Sequence, residues 1–322
     1  MLSSILASVV VDNLLSAPVL AFVVALVATL VKFDLRLPDA LYPILSTYLL
    51  FAIGIKGGRA LSDTSLSDVL MPLVAAIVLG LVTPLLAFAA FRTLGRLGRI
   101  DAAAVAAHYG SVSAVTFTVV LATLDARGTS YEGHVAGLLA ILEVIGIVVA
   151  LSLARDKENR GRWSEAVGEV LRGRSIAFLL AGLVIGLAAG NERLAPVDPL
   201  FVGLFSGVLT LFLVEMGSIA AERLRDVGAA GWRLVVLAVA VPIVNGALGA
   251  VAGDFAGLST GGVAVLATLA ASASYIAAPA AVRIALPKAS PGLYVTASLG
   301  ITFPFNLIVG IPLYIEIAEA LT

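Results

Sequence analysis

The chain has 322 residues, 60% of them hydrophobic and 13% charged, with a net charge of −1, and a mean hydropathy of +1.08. A soluble core of this length does not need so much apolar surface, so the composition reads as an all-α integral membrane protein. The charge balance gives no nucleic-acid signal, and the absence of cysteine excludes disulfides, thiolate metal sites and a Cys nucleophile.

Residues 1–15 carry no Lys or Arg, so they lack the basic start of a secretory signal and read as a short amphipathic lead-in. Apolar runs of spanning length follow at 17–33, 40–56, 68–91, 101–124, 133–154, 175–190, 199–218, 229–252, 260–284 and 292–320. The expectation is ten transmembrane helices, the sixth being short and ending at Gly190-Asn191. With ten spans, Lys56, Arg59, Arg127 and Arg193 fall on one side and the other sixteen Lys and Arg on the opposite side. The positive-inside bias makes the second side cytoplasmic and puts both termini outside, in a cell (inner) membrane.

Two spans contain polar interruptions: Gly110-Ser111-Val112-Ser113 in the fourth and Ser272-Ala273-Ser274-Tyr275 in the ninth. Hydroxyls and helix breakers at mid-membrane depth cost free energy unless they line a cavity. The two breaks, Pro84 with Pro242, and Gly54 with Gly217 all recur at an offset of about 160 positions, the signature of an inverted repeat. The same alignment sets Glu143 opposite Pro304. It predicts a first five-helix repeat over 1–154, an Arg-rich cytoplasmic linker over 155–174 and a second, inverted repeat over 175–322. The linker is too short for a folded domain.

A helix that stops and restarts exposes backbone N–H groups and the positive end of a helix dipole. Two such restarts facing each other make a small-anion site without Lys or Arg. The candidate binding residues are Gly110, Ser111, Val112, Ser113 and Thr116, with Ser272, Ala273, Ser274 and Tyr275. Pro279 suits a first helical turn. For either break alone, a packing interface of small residues is the plain alternative. Glu143, near the centre of the fifth span, suits a Na⁺ ligand, a proton carrier or a protonated structural acid. Thr302 and Asn306 stand beside it as ion-coupling candidates, although interhelical hydrogen bonds account equally for them and for Asn245.

Glu215 reads as a snorkelling structural residue near a helix end. His108 suits substrate contact, capping or packing, and His134 follows a loop at the membrane interface. Two isolated histidines make no metal site. Arg283 and Lys288 read as topological anchors, and the glycines from Gly246 to Gly262 as close helix packing. No nucleotide loop or nucleophile–base pair points to an enzyme or to a bound cofactor.

Several of these residues resemble the sodium-dependent bicarbonate transporters best known from cyanobacteria. The resemblance covers nearly the whole chain. It is carried by Ile53-Gly54-Ile55-Lys56-Gly57-Gly58, by Gly110-Ser111-Val112-Ser113 with Thr116, and by Ser130-Tyr131-Glu132. The second half adds Ser272-Ala273-Ser274-Tyr275-Ile276, Pro279, Arg283, Pro287 and Pro291. It implies ten spans in two inverted repeats, a core that moves against a scaffold, a homotrimer, and Na⁺-coupled bicarbonate uptake at the broken helices. It also implies, for some members, a PII-like cytoplasmic regulator.

Five features depart from that pattern. Tyr275 stands where the family carries an aspartate, Glu143 replaces a shorter carboxylate, Ala114 and Val115 replace smaller or hydroxyl residues, His108 is atypical, and the linker is short. Two other readings stay open: the same fold carrying another small carboxylate, and an anion receptor that does not transport.

Overall fold

A computed structural model describes residues 10–11, 13–62, 64–154 and 160–322. The described residues form helices and no strand: α1 (Ala17–Leu30), α2 (Leu41–Leu61), α3 (Leu66–Thr93), α4 (Arg99–Gly110), α5 (Ala114–Arg127) and α6 (Val135–Leu153). Then come α7 (Arg160–Leu171), α8 (Arg174–Leu194), α9 (Phe205–Arg225), α10 (Trp232–Phe255), α11 (Thr260–Ala271) and α12 (Ala277–Ala285). The last helix, α13 (Pro291–Leu321), contains two π-helical stretches, Thr296–Thr302 and Asn306–Gly310.

Among the described residues, eight helical segments are long and apolar enough to cross a membrane, α4 and α5 together making one of them. The first and ninth expected spans fall short. At 1.5 Å per residue, α1 reaches about 21 Å against a hydrocarbon core of about 30 Å, and the ninth is cut into α11 and α12. The sixth breaks at Gly190, as expected: its φ of 67° and ψ of 179° are non-helical, a conformation that favours glycine, and a further helical turn follows to Leu194.

Small residues sort the helices into two packed groups. Gly54 and Gly58, one turn apart on α2, lie against the backbone of Leu179 and Leu183 in α8, and Gly182 and Gly186 of α8 return the contact. Gly217 of α9 meets the Phe22 carbonyl and Ala25 of α1. These four helices form one group. In the larger group of α3–α6 and α10–α13, Gly110 packs on Pro84 of α3, and Gly249 of α10 packs on Ala267 and Ala270 of α11. Gly246 packs on the ring of Tyr314, so the glycines of α10 serve close packing, as expected.

The segment expected as a linker contains a helix. Residues 155–159, with Arg155 and Lys157, lie outside the described residues, but α7 is helical and packs on α12 and α6. It buries Ala166 and Val170 in the cluster that holds Ala278, Ala281 and Val282. Glu215 is a correction. It is buried in the middle of α9, where its Oε2 accepts the Leu37 backbone N–H at 2.7 Å. An extended segment after α1 leaves that N–H without a helical acceptor, so the carboxylate satisfies it.

The α2–α8 contact is backbone against backbone, which leaves no side chain to yield. Gly54→Ala would place a Cβ 2.9 Å from the Leu183 nitrogen and 3.0 Å from the Gly182 Cα. It is expected to destabilise the fold by about 1–3 kcal/mol, the usual cost of overpacking. Gly137→Ala in α6, where a Cβ meets nothing within 4 Å, is the matched control and should hold or raise stability. Thermal unfolding of the two variants in detergent checks this, and equal midpoints would refute the packing account.

Candidate functional site

The two breaks are built alike. Ser111 is extended at φ −90°, ψ 179°, and Ser113 at φ −101°, ψ 111°, before α5 begins. Ser272 leaves α11 at φ −79°, ψ 161°. The Ser113 Oγ accepts the Thr116 N–H at 3.1 Å and so caps α5. The Ser274 Oγ accepts the Ala278 N–H at 3.2 Å and so satisfies a donor in the first turn of α12, although Ile276 is the residue that precedes that helix. Each serine satisfies one orphan donor of a first turn. Pro279 is the third residue of α12, where a missing N–H has no intrahelical bond to lose.

The breaks are also bonded to each other. The Ser113 N–H donates to the Ser272 Oγ at 2.8 Å, and that hydroxyl donates to the Leu269 carbonyl at 2.8 Å. In the other direction the Ser274 N–H donates to the His108 carbonyl at 2.8 Å. Ser111 differs from the other three, because its Oγ is buried without a hydrogen-bond partner.

Glu143 completes the site. Gly146, one turn further along α6, lies over the Gly110–Ser111 peptide, where a Cβ would come 2.8 Å from the Ser111 nitrogen. Residues three apart share a helix face, so this close approach brings Glu143 to the break. Glu143 lines a cavity of about 10 Å³ with Val112, Ser113, Ala114, Ser175, Ser274, Tyr275, Ile276 and Ala277. That is room for about one water. Tyr275 is packed edge-on to Phe303 at 5.1 Å, and Phe303 edge-on to Phe22 of α1 at 5.3 Å. The Tyr275 hydroxyl approaches the Ser113 side chain without completing a well-formed hydrogen bond.

Other sequence candidates lie elsewhere. The Thr302 Oγ1 donates to the Ala238 carbonyl at 2.6 Å and therefore accepts from the Tyr109 hydroxyl, also at 2.6 Å. The Asn306 Nδ2 donates to the Ala271 carbonyl, the last of α11, at 2.9 Å, and its Oδ1 accepts from the Tyr314 hydroxyl at 3.1 Å. Both side chains hold helices together, and neither lines the cavity with Glu143. Thr116 enters through its backbone N–H, while Gly110 and Ala273 are buried beside the cavity without lining it. The His108 ring bonds the Ala104 carbonyl through Nδ1 at 2.8 Å and stacks on Tyr294 at 4.7 Å, so only its backbone reaches the break.

His134 is buried at the start of α6 with neither ring nitrogen paired. Burial lowers its pKa, opposed by Glu132 and Asp68. Asn245 is buried with both amide atoms unpaired. Among the described residues no three His, Asp or Glu side chains gather as metal ligands would. The sequence reading missed Ala114, Ser175, Ile276 and Ala277 as wall residues. Ser175 follows Arg174 at the head of α8 and carries no local signal.

A sequence model of the Na⁺-dependent bicarbonate transporter superfamily matches residues 17–319, nearly the whole chain. Comparison with curated proteins finds none that matches.

The hydrogen bonds assign different consequences to two serines that look alike in sequence. Ser272→Ala removes the acceptor of a buried N–H and is expected to cost about 1–3 kcal/mol. Ser111→Ala removes a hydroxyl with no partner and should leave stability unchanged or higher. Thermal midpoints of the two variants decide it, and an undiminished midpoint for Ser272→Ala would contradict the bond between the breaks.

Proposed function

The chain belongs to the Na⁺-dependent bicarbonate transporter superfamily, and from that premise we propose that it imports bicarbonate coupled to Na⁺. As a family member it is a multi-pass membrane protein and a transporter rather than an enzyme. The observation that carries the reading is the meeting of two helix restarts with one carboxylate, Glu143, in a single buried cavity.

The chemistry divides between anion and cation. By helix geometry the Ala114 and Val115 N–H groups in the first turn of α5 have no intrahelical acceptor. The first turn of α12 faces the same cavity, and both turns present the positive ends of their dipoles. Such an arrangement favours a small oxyanion, with the hydroxyls of Ser113 and Ser274 at hand. An ionised Glu143 would repel that anion in a site shielded from water. Na⁺ at the Glu143 carboxylate removes the repulsion, so each ion raises the affinity for the other. With Tyr275 in the second break, Glu143 is the acid available for this role.

Access requires movement, since a cavity of about 10 Å³ has no room for a bicarbonate ion. An elevator-type displacement of the larger helix group against the four-helix group accounts for loading and release. The mirrored glycine contacts support the inverted repeat: Gly54 seats α2 on α8, and Gly217 seats α9 on α1. The same reading includes repeats over 1–154 and 175–322, ten spans, and both termini outside the cell membrane. It extends to a homotrimer, and to a PII-like regulator that would meet the cytoplasmic face.

Uptake of labelled bicarbonate into proteoliposomes, with and without an inward Na⁺ gradient, tests the proposal. Concentrative uptake that requires Na⁺ is expected. Uptake indifferent to Na⁺, or uptake of formate in place of bicarbonate, would overturn it. Ser113→Leu and Ser274→Leu should abolish uptake in protein that still assembles. Glu143→Gln should bind bicarbonate without needing Na⁺ and fail to accumulate it.

A further inference from the structure

The Ile53–Gly58 run of α2 divides its residues between two neighbours. Gly54 and Gly58 face α8 inside the four-helix group. Gly57 faces the larger group, where a Cβ would come 2.7 Å from the Ala136 Cβ and 3.1 Å from the Gly133 carbonyl. Ala60, nearly one turn on, lies against Gly133. This is a seam of small residues between the two groups. Beside it opens a cleft of about 310 Å³, walled by Ile53 and Lys56 on one side and Leu121, Asp125 and Tyr131 on the other.

Lys56 reaches across that cleft. Its Nζ lies 5.2 Å from the ring centre of Phe205, in its own group, and 3.1 Å from the Asp125 Oδ2 in the last turn of α5. The second Asp125 oxygen accepts the Tyr131 hydroxyl at 3.0 Å. Burial, reinforced by the neighbouring Asp125 charge, raises the Tyr131 pKa, which keeps that hydroxyl a donor. The other ion pairs stay within a group or a turn. Arg36–Glu222 and Arg59–Asp198 tie the four-helix group, Arg127–Glu319 ties α5 to α13, and Arg223–Asp226 is local. Among the described residues, Lys56–Asp125 is the ion pair that joins the two groups.

We infer that Lys56 and Asp125 form a reversible latch across the seam, made in the closed state and broken each time the larger group moves. The moving part of this inference rests on the transport reading; the juxtaposition does not. The strength of the pair suits the task. Its side chains are 27% and 47% exposed, so water and salt screen it, and its loss shifts a two-state balance by about fivefold at most. A fully buried pair would strand an uncompensated charge at every opening.

Carbodiimide, which joins an amine to a carboxylate only in contact, tests the latch in reconstituted protein. The expected result is an amide between Lys56 and Asp125, located by mass spectrometry, with bicarbonate uptake lost in proportion to its yield. Lys56→Arg keeps the ion pair but cannot be amidated, so it should retain uptake through the same treatment. Full uptake by cross-linked protein, or no cross-link at this pair, would overturn the inference.

A second readout does not depend on transport. The chain has no cysteine, so Leu121→Cys places a single thiol in the cleft wall. Adding Lys56→Gln should speed its labelling by a maleimide about threefold to fivefold, and an unchanged rate would overturn the latch even if uptake is normal. Faster labelling in a protein whose parent takes up no bicarbonate would keep the latch and sink the transport reading.

Discussion

The structure turns on the need to satisfy backbone groups where two helices are interrupted inside an apolar bundle. No water is at hand there, and each unpaired group costs about 1–3 kcal/mol. The two breaks meet that need for each other: the Ser113 N–H is taken by Ser272, and the Ser274 N–H by the His108 carbonyl. Asn306 takes the Ala271 carbonyl from the side. Such short bonds hold only if backbones come close, which requires Gly110 beside Pro84 and Gly146 above the Gly110–Ser111 peptide. The breaks, α3, α6 and α13 are therefore one unit, and any movement that carries one break carries both.

The division into two groups follows from where close approach is permitted. Gly54, Gly58, Gly182 and Gly186 let α2 and α8 touch along their backbones, and a contact without side chains has nothing to rearrange. Between the groups the contact is mixed. Small residues on α2 and at the start of α6 meet closely, with Ala60 seated against Gly133, while the polar crossing at Lys56 is partly exposed.

Much of this was legible in the sequence because the cost of a polar break in a membrane helix is large. The two Ser-x-Ser breaks, the buried acid Glu143 and the glycine packing of α10 were read from residue types alone; that Glu143 meets the breaks was not. What was missed depended on distance along the chain. Glu215 looks like a helix-end residue until Leu37, far upstream, is seen to use it. Thr302 and Asn306 were open between an ion site and interhelical bonds, and the bonds they make, to Ala238 and Ala271, are set by tertiary packing. The helix α7 was readable after all. Trp163, Ala166, Val167 and Val170 recur at helical spacing, and the Arg-rich composition hid it.

The Ser-x-Ser repeat is symmetric in sequence and asymmetric in space, and the asymmetry falls where the proposed chemistry needs it. Ser113 and Ser274 do the same job, each satisfying a donor in the first turn of its restart. Ser111 and Ser272 do not: Ser272 bonds across the crossing, while Ser111 is left with a free hydroxyl. A strict two-fold would give the Ser274 N–H to Ser111, but the His108 carbonyl, three residues earlier, receives it instead. The side with the unused hydroxyl is also the side that α6 covers with Glu143, whose counterpart in the proposed repeat is Pro304, a residue without a charge. Two equal half-sites would bind two like ions. On the proposed reading, a half-site with the carboxylate of Glu143, set against one that offers the hydroxyl residues Ser274 and Tyr275 beside its helix start, separates a cation from an anion.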